Sequence, residues 1–236
     1  MSKRSVSRRC PSRDDQRPVI NARLYTHRGS EHRCVRGGPV ADDGQIEGVV
    51  DYIFEAGLLK RAKRTGWWIA GVKDPESIAD HSHRTALIGA VLALMEGADP
   101  AKVALLAVLH DSQETRVGDI PYLGRRYLTA ASNQKVTADQ VAETPDAVRD
   151  GIQRIVDDYE AGDSLEVVVA HDADKLDCLF QAIEYREQGN QNTQQFIDSM
   201  LAVLSTASAK VIASAALNRS SQEWHAPHMG RQDRHV

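Results

Sequence analysis

The chain has 236 residues, of which 42% are hydrophobic and 26% charged, and a formal net charge of −4. That balance gives no reason to expect nucleic acid or a membrane surface as a partner of the whole chain, and no apolar run approaches the ~18 residues of a membrane span. The three cysteines, Cys10, Cys34 and Cys178, form no CxxC pair. So sparse and odd a set argues against a disulfide framework and points to a reducing compartment, taken here as the cytoplasm.

Residues 1–44 are rich in Arg and Ser and include the breaker run Arg36-Gly37-Gly38-Pro39. They hold too little apolar surface to offset the entropy of ordering, so a solvated, flexible tail is expected. Asp14, Asp15 and Glu31 interrupt the basic pattern that a transit peptide would keep. From residue 45 the apolar residues follow a helical period. Ile46, Val49, Val50, Ile53, Phe54 and Leu58 describe one face of a first helix. Ser77-Ile78-Ala79-Asp80 reads as a capping box with Asp at its fourth position. The helix it opens carries Ile78, Leu87, Ile88, Val91, Leu92 and Met95 as its expected apolar face, with Gly97 closing it.

Asp99-Pro100 supplies an N-cap followed by proline at the first helical position. The helix after it is expected to run to about Glu114, before Gly118, Pro121 and Gly124 mark a loop. Further helices are expected near 137–143, 145–160, 164–188 and 193–216. Leu165 to Val169 is β-branched enough for a strand, but it flows without a breaker into residues of helical period. One long helix is the better reading. The stretch 218–236 is polar and reads as a second flexible tail. The expectation is an all-α fold with one domain over 45–217.

His110-Asp111 ends the apolar run Ala104 to Leu109. An ionised aspartate beside a histidine at the end of a buried run needs compensation, and a divalent cation is one form of it. Taken alone, the dipeptide is better read as a hydrogen-bonded histidine near a helix C-terminus with a solvated aspartate. Glu114 follows at helical spacing on the same side, where a carboxyl could exchange protons. Further ligands are offered by His81, in the first turn of the capped helix, and by the run His171-Asp172-Ala173-Asp174-Lys175-Leu176-Asp177. Periodicity leaves His171, Asp174 and Asp177 all open, and turns Asp172 away. His83 points nearly opposite to His81 on a helix. His225 and His228 lie beside Pro227 in the expected tail and make poor ligand candidates.

With these residues in place, the chain resembles the HD-domain metal phosphohydrolases, whose pattern is H…HD…D on helices. More narrowly it is similar to their 5′-deoxynucleotidase branch, over roughly residues 46–190. The likeness rests on Arg64-Thr65-Gly66-Trp67, Pro75-Glu76-Ser77, His110-Asp111-Ser112-Gln113-Glu114 with Gly118-Asp119-Ile120, and Gln181-Ala182-Ile183-Glu184-Tyr185. The resemblance implies an HD helical bundle holding one divalent ion (Mn, Co, Mg, Fe or Zn) through His81, His110, Asp111 and Asp174. It implies Glu114 as catalytic acid or base beside Asp111, Asp119 as a sugar contact, and Arg64 and Trp67 as walls of the nucleotide pocket. It further implies a homodimer. The expected activity is removal of the 5′-phosphate from nucleoside monophosphates. The competing expectations are an HD phosphohydrolase acting on another nucleotide and a non-catalytic nucleotide sensor.

Overall fold

A computed structural model describes residues 42–229. Of the tail expected over 1–44, residues 1–41, with Cys10 and Cys34, lie outside the described residues, as does the stretch 230–236; residues 42–44 are instead ordered, Asp42 capping a first helix that begins at Asp43. The fold is all-α: the described residues form no β-strand, only an isolated bridge between Lys63 and Ser77. Among the described residues ten α-helices follow in order: α1 Asp43–Ala56, α2 Gly66–Ile69, α3 Ile78–Glu96, α4 Pro100–Leu109, α5 Glu114–Val117, α6 Asn133–Gln140, α7 Asp146–Ala161, α8 Leu165–Glu187, α9 Gln194–Val203 and α10 Ala207–Leu217. Residues 218–229, expected as tail, form a short 3-10 turn over Glu223–His228. Ser221 ties this segment to the Glu187 carboxylate.

The central element is α8, the one long helix expected there. It buries Val167, Ala170, Ala173, Leu176 and Leu179 among others, and α3, α4 and α9 pack around it. Its start is capped by Ser164. The capping box of α3 forms as the sequence predicts: Asp80 N–H donates to Ser77 Oγ, and Ser77 N–H donates to the Asp80 carboxylate. Gly97 closes the helix in the left-handed conformation at φ 76°, which glycine adopts without a Cβ penalty.

The structure corrects four further sequence expectations. The face of α3 turned inward keeps Ile78 and Leu92 of the expected set and adds His81, Ser82, Thr85, Gly89 and Ala93, whereas Leu87, Val91 and Met95 are exposed. The reason is close approach: a Cβ on Gly89 would stand 2.8 Å from Val103 Cγ1 of α4, so small residues line the seam. Likewise α1 buries none of its side chains fully, and Ile53 and Phe54 are 63% and 76% exposed. It docks instead through Gly48, against the Glu143 backbone, and through Glu55, which accepts from Thr115, Arg116 and Gln140.

The other corrections concern helix breaks. The helix begun at Pro100 stops at Leu109, because His110 Nδ1 and Ser112 Oγ take the carbonyls of Ala107 and Leu109 and the chain turns tightly before α5. The helix expected over 193–216 is split at Leu204 into α9 and α10. Buried Asp172 of α8 accepts from Ser205 N, Thr206 N and Thr206 Oγ1, and so anchors a new helix start.

Candidate metal centre and active site

Three helices converge on one point. His81 comes from the first turn of α3, His110 and Asp111 from the end of α4, and Asp174 from the middle of α8. His81 is fully buried and His110 nearly so. Each histidine has its Nδ1 committed. That of His110 lies 2.7 Å from the Ala107 carbonyl, and that of His81 lies 2.6 Å from Asp177 Oδ2. A carbonyl or carboxylate oxygen only accepts, so both Nδ1 atoms carry a proton and both Nε2 atoms are free to act as donors of lone pairs.

Those two Nε2 atoms face each other at 3.2 Å. Asp174 Oδ1 stands 3.2 Å from the Nε2 of His81 and 3.9 Å from that of His110. Asp111 Oδ2 stands 3.6 Å and 3.1 Å from the same two atoms. One ligand atom each from His81, His110 and Asp174 lies within 4.8 Å of the other two, and Asp111 Oδ2 meets both imidazoles while also paired with Arg64; two imidazole lone pairs beside carboxylates fit a divalent ion of hard-to-borderline character. Burial and Arg64 push the His81 pKa down, but hydrogen bonds to Asp174 and Asp177 outweigh them and raise it to about 9. For Asp174, burial favours the neutral acid, yet His81, Lys175 and His110 hold it ionised well below the usual carboxylate range.

The spot opens into a cleft of about 380 Å³ lined by Arg64, Trp67, Asp111, Glu114, Asp119 and Phe196 among others. Glu114 has a buried Oε2 with no hydrogen-bond partner. Burial, then the charges of Asp111 and Asp119, push its pKa up to about 8. Arg64 donates from Nη1 to Asp111 Oδ2 at 2.8 Å. Asp119 Oδ2 accepts from Thr65 N–H at 2.5 Å, and Thr65 Oγ1 donates to the Asp119 backbone carbonyl at 2.8 Å. The Arg64-Thr65-Gly66-Trp67 segment is thereby pinned to the Gly118-Asp119 loop. Trp67 is buried, donates to Glu76 Oε1 at 3.0 Å, and packs against Phe196 with ring centroids 4.8 Å apart. It belongs to the core and also presents an edge to the cleft.

The structure brings His81, His110, Asp111, Asp174, Glu114, Asp119, Arg64 and Trp67 together, and separates the other candidates. His83 is exposed. His171 is exposed too, with its Nε2 3.0 Å from the Tyr159 carbonyl. His225 pairs with Gln222 on the surface. Sequence reasoning missed the groups behind the site. Asp177, left open as a ligand, is bonded to His81 on one oxygen and to Arg84 Nε on the other. Arg84 also donates to Glu184 and Gln181, and Tyr185 Oη accepts from Glu76 N–H at 2.8 Å. The spacing of Asp177, Gln181 and Glu184 along one helix face was a legible signal for this cluster.

A family model for the HD domain matches residues 56–215. This chain belongs to the HD domain family. Among relatives, this HD domain is 30% identical over 166 residues to the 5′-deoxynucleotidase HDDC2 of Dictyostelium discoideum, an alignment covering 64% of this chain and 86% of the relative. It is 29% identical over 164 residues to the protein of the same name from Mus musculus, covering 68% of this chain and 82% of that one. Among solved structures, a conserved hypothetical protein from Pyrococcus furiosus superposes with a TM-score of 0.60 at 30% identity, over 72% of this chain and 99% of that chain. The helical fold and the family are those that the sequence motifs imply.

Proposed function

We propose that this HD domain is a metal-dependent phosphohydrolase that removes the 5′-phosphate from deoxynucleoside monophosphates. The observation that carries the reading is the convergence of the two Nε2 atoms with the Asp111 and Asp174 carboxylates, beside a buried carboxyl, Glu114, that has no protein partner for one oxygen. The names of the relatives supply the substrate class. His81, His110, Asp111 and Asp174 would hold one divalent ion, which supplies Lewis acidity toward the phosphate and toward water.

The remaining steps are carried by this chain's own groups. Arg64, buried and paired with Asp111, offers a planar, permanently charged guanidinium at the phosphate end of the cleft. Burial and the neighbouring Asp111 and Asp119 raise the Glu114 pKa, which suits donation to the leaving 5′-oxygen; the same carboxyl can take a proton from attacking water. Asp119, held in place by Thr65, accepts from a sugar hydroxyl. Trp67 and Phe196 close the apolar side of the cleft. The working form is a homodimer in the cytoplasm. The dimer is supported by the exposed apolar residues Ile53 and Phe54 of α1 and Leu87 and Leu94 of α3, and the compartment by the free thiol of Cys178. No described helix is long and apolar enough to cross a membrane.

The test is phosphate release from a panel of ribo- and deoxyribonucleoside 5′-monophosphates, with cyclic and triphosphate nucleotides as competitors for the assignment. Release confined to the monophosphates supports the reading. Release from a cyclic or polyphosphorylated nucleotide instead would reassign the substrate.

A further inference from the structure

Behind the proposed metal site lies a cluster, Asp177, Arg84, Gln181 and Glu184, that does not line the cleft. Asp177 is completely buried, and each of its oxygens has one assigned donor. Oδ2 accepts from His81 Nδ1 at 2.6 Å, and Oδ1 accepts from Arg84 Nε. Arg84 cannot turn away easily. Its Nη1 donates to both oxygens of Glu184 at 2.9 and 2.8 Å, and its Nη2 donates to Gln181 Oε1 at 2.9 Å. Glu76 is the other acid on this side of His81, and its Oε1 is taken by Trp67 Nε1.

We infer that Asp177 and Arg84 together act as a positioning pair that fixes the tautomer of His81, keeping the proton on Nδ1 and the lone pair on Nε2 aimed at the ion. The asymmetry comes from Arg84, which has donors only. Any side chain at position 177 must present an acceptor to Arg84 Nε. A carboxylate satisfies Arg84 and His81 at once, because both its oxygens accept. An amide of the same shape cannot. In Asp177→Asn, Arg84 draws the amide oxygen to itself and turns the NH₂ toward His81 Nδ1. The ring nitrogen must then accept, its proton moves to Nε2, and that proton points at the ion's place. Arg84 thus turns a nearly isosteric change into a wrong tautomer. Remove Arg84 as well, and the amide can flip so that its oxygen again accepts from Nδ1.

The inference rests on the metal-site reading, and zinc binding by the metal-stripped full chain separates the two. Affinity is measured by competition with a chromophoric chelator, alongside thermal unfolding of each metal-free variant. Asp177→Asn should weaken zinc about 10–100-fold, the range seen when the carboxylate behind a metal-bound histidine is lost. The double variant Asp177→Asn with Arg84→Met should recover at least tenfold of that loss, although it removes a second member of the cluster. A merely structural role predicts the opposite order. Should Asp177→Asn alone not fold, the double variant decides: zinc affinity within tenfold of the wild type supports the inference, and weaker binding overturns it. Wild-type affinity in Asp177→Asn, or a double variant no tighter than the single one, also overturns it. A wild-type chain that binds no zinc overturns the metal site and this inference together.

Discussion

Replacing Glu114 with glutamine should abolish turnover and yet stabilise the metal-free protein. The carboxyl sits in the cleft with one buried oxygen unpartnered, and burial beside Asp111 and Asp119 raises its pKa from the ordinary 4.5 to about 8. The folded chain therefore keeps a proton that the unfolded chain has released. Stability associated with this group is fully present below the unfolded value and is lost as pH rises through the folded one. At about 1.4 kcal/mol for each pH unit separating the two values, the loss reaches on the order of 3 kcal/mol at pH 7 and about 5 kcal/mol above pH 8. Glutamine has the same shape and no charge to bury. The expected gain at pH 7 corresponds to roughly 6–12 °C in Tm for a domain of this size, shrinking to about 1 kcal/mol at pH 5. Calorimetry of chelator-treated wild type and Glu114→Gln between pH 5 and 9 measures it. A difference in Tm that is independent of pH, or a variant less stable than the wild type at pH 8, would refute the reasoning.

Other outcomes follow from single contacts. Arg64→Lys keeps the charge but loses the planar group that donates to Asp111 from Nη1 and to Cys178 Sγ from Nη2, so KM for the nucleotide should rise at least about tenfold with the fold intact by circular dichroism. Asp172→Ala strips the three hydrogen bonds that start α10. It should cost about 2–3 kcal/mol, read as a lower urea midpoint at unchanged slope. Gly89→Ala drives a methyl to 2.8 Å from Val103 Cγ1, and the overpacked α3–α4 seam should lose about 1–3 kcal/mol in the same urea experiment.

Local signals were read correctly where the chain decides its own geometry. The Ser77–Asp80 box, the Asp99-Pro100 start and the uninterrupted period of α8 need no distant partner, and all three helices begin where expected. The failures are tertiary. The break at Leu204 depends on Asp172, 33 residues upstream of Ser205, and the face α3 buries depends on how closely α4 can approach Gly89. The hidden side of the site shows the same limit. Asp174 and Asp177 lie on one helix face, so periodicity could not separate them. What distinguishes them is which nitrogen of His81 each meets: Asp174 stands 3.2 Å from Nε2, and Asp177 2.6 Å from Nδ1. Motif resemblance named Asp174; the helix-face spacing of Asp177, Gln181 and Glu184 signals a cluster, but its meeting with Arg84 and His81 of α3 is tertiary.

The central claim is a single catalytic ion held by two histidines and two aspartates. Its most direct test strips the chain of metal, reloads it with Mn²⁺, Co²⁺, Mg²⁺, Fe²⁺ or Zn²⁺, and records bound metal per chain beside phosphate released from deoxynucleoside 5′-monophosphates, for the wild type and Asp174→Ala. The account predicts one ion per wild-type chain, release that rises in step with occupancy, and loss of both in Asp174→Ala. Phosphate release that persists without metal, or equally in Asp174→Ala, would contradict it.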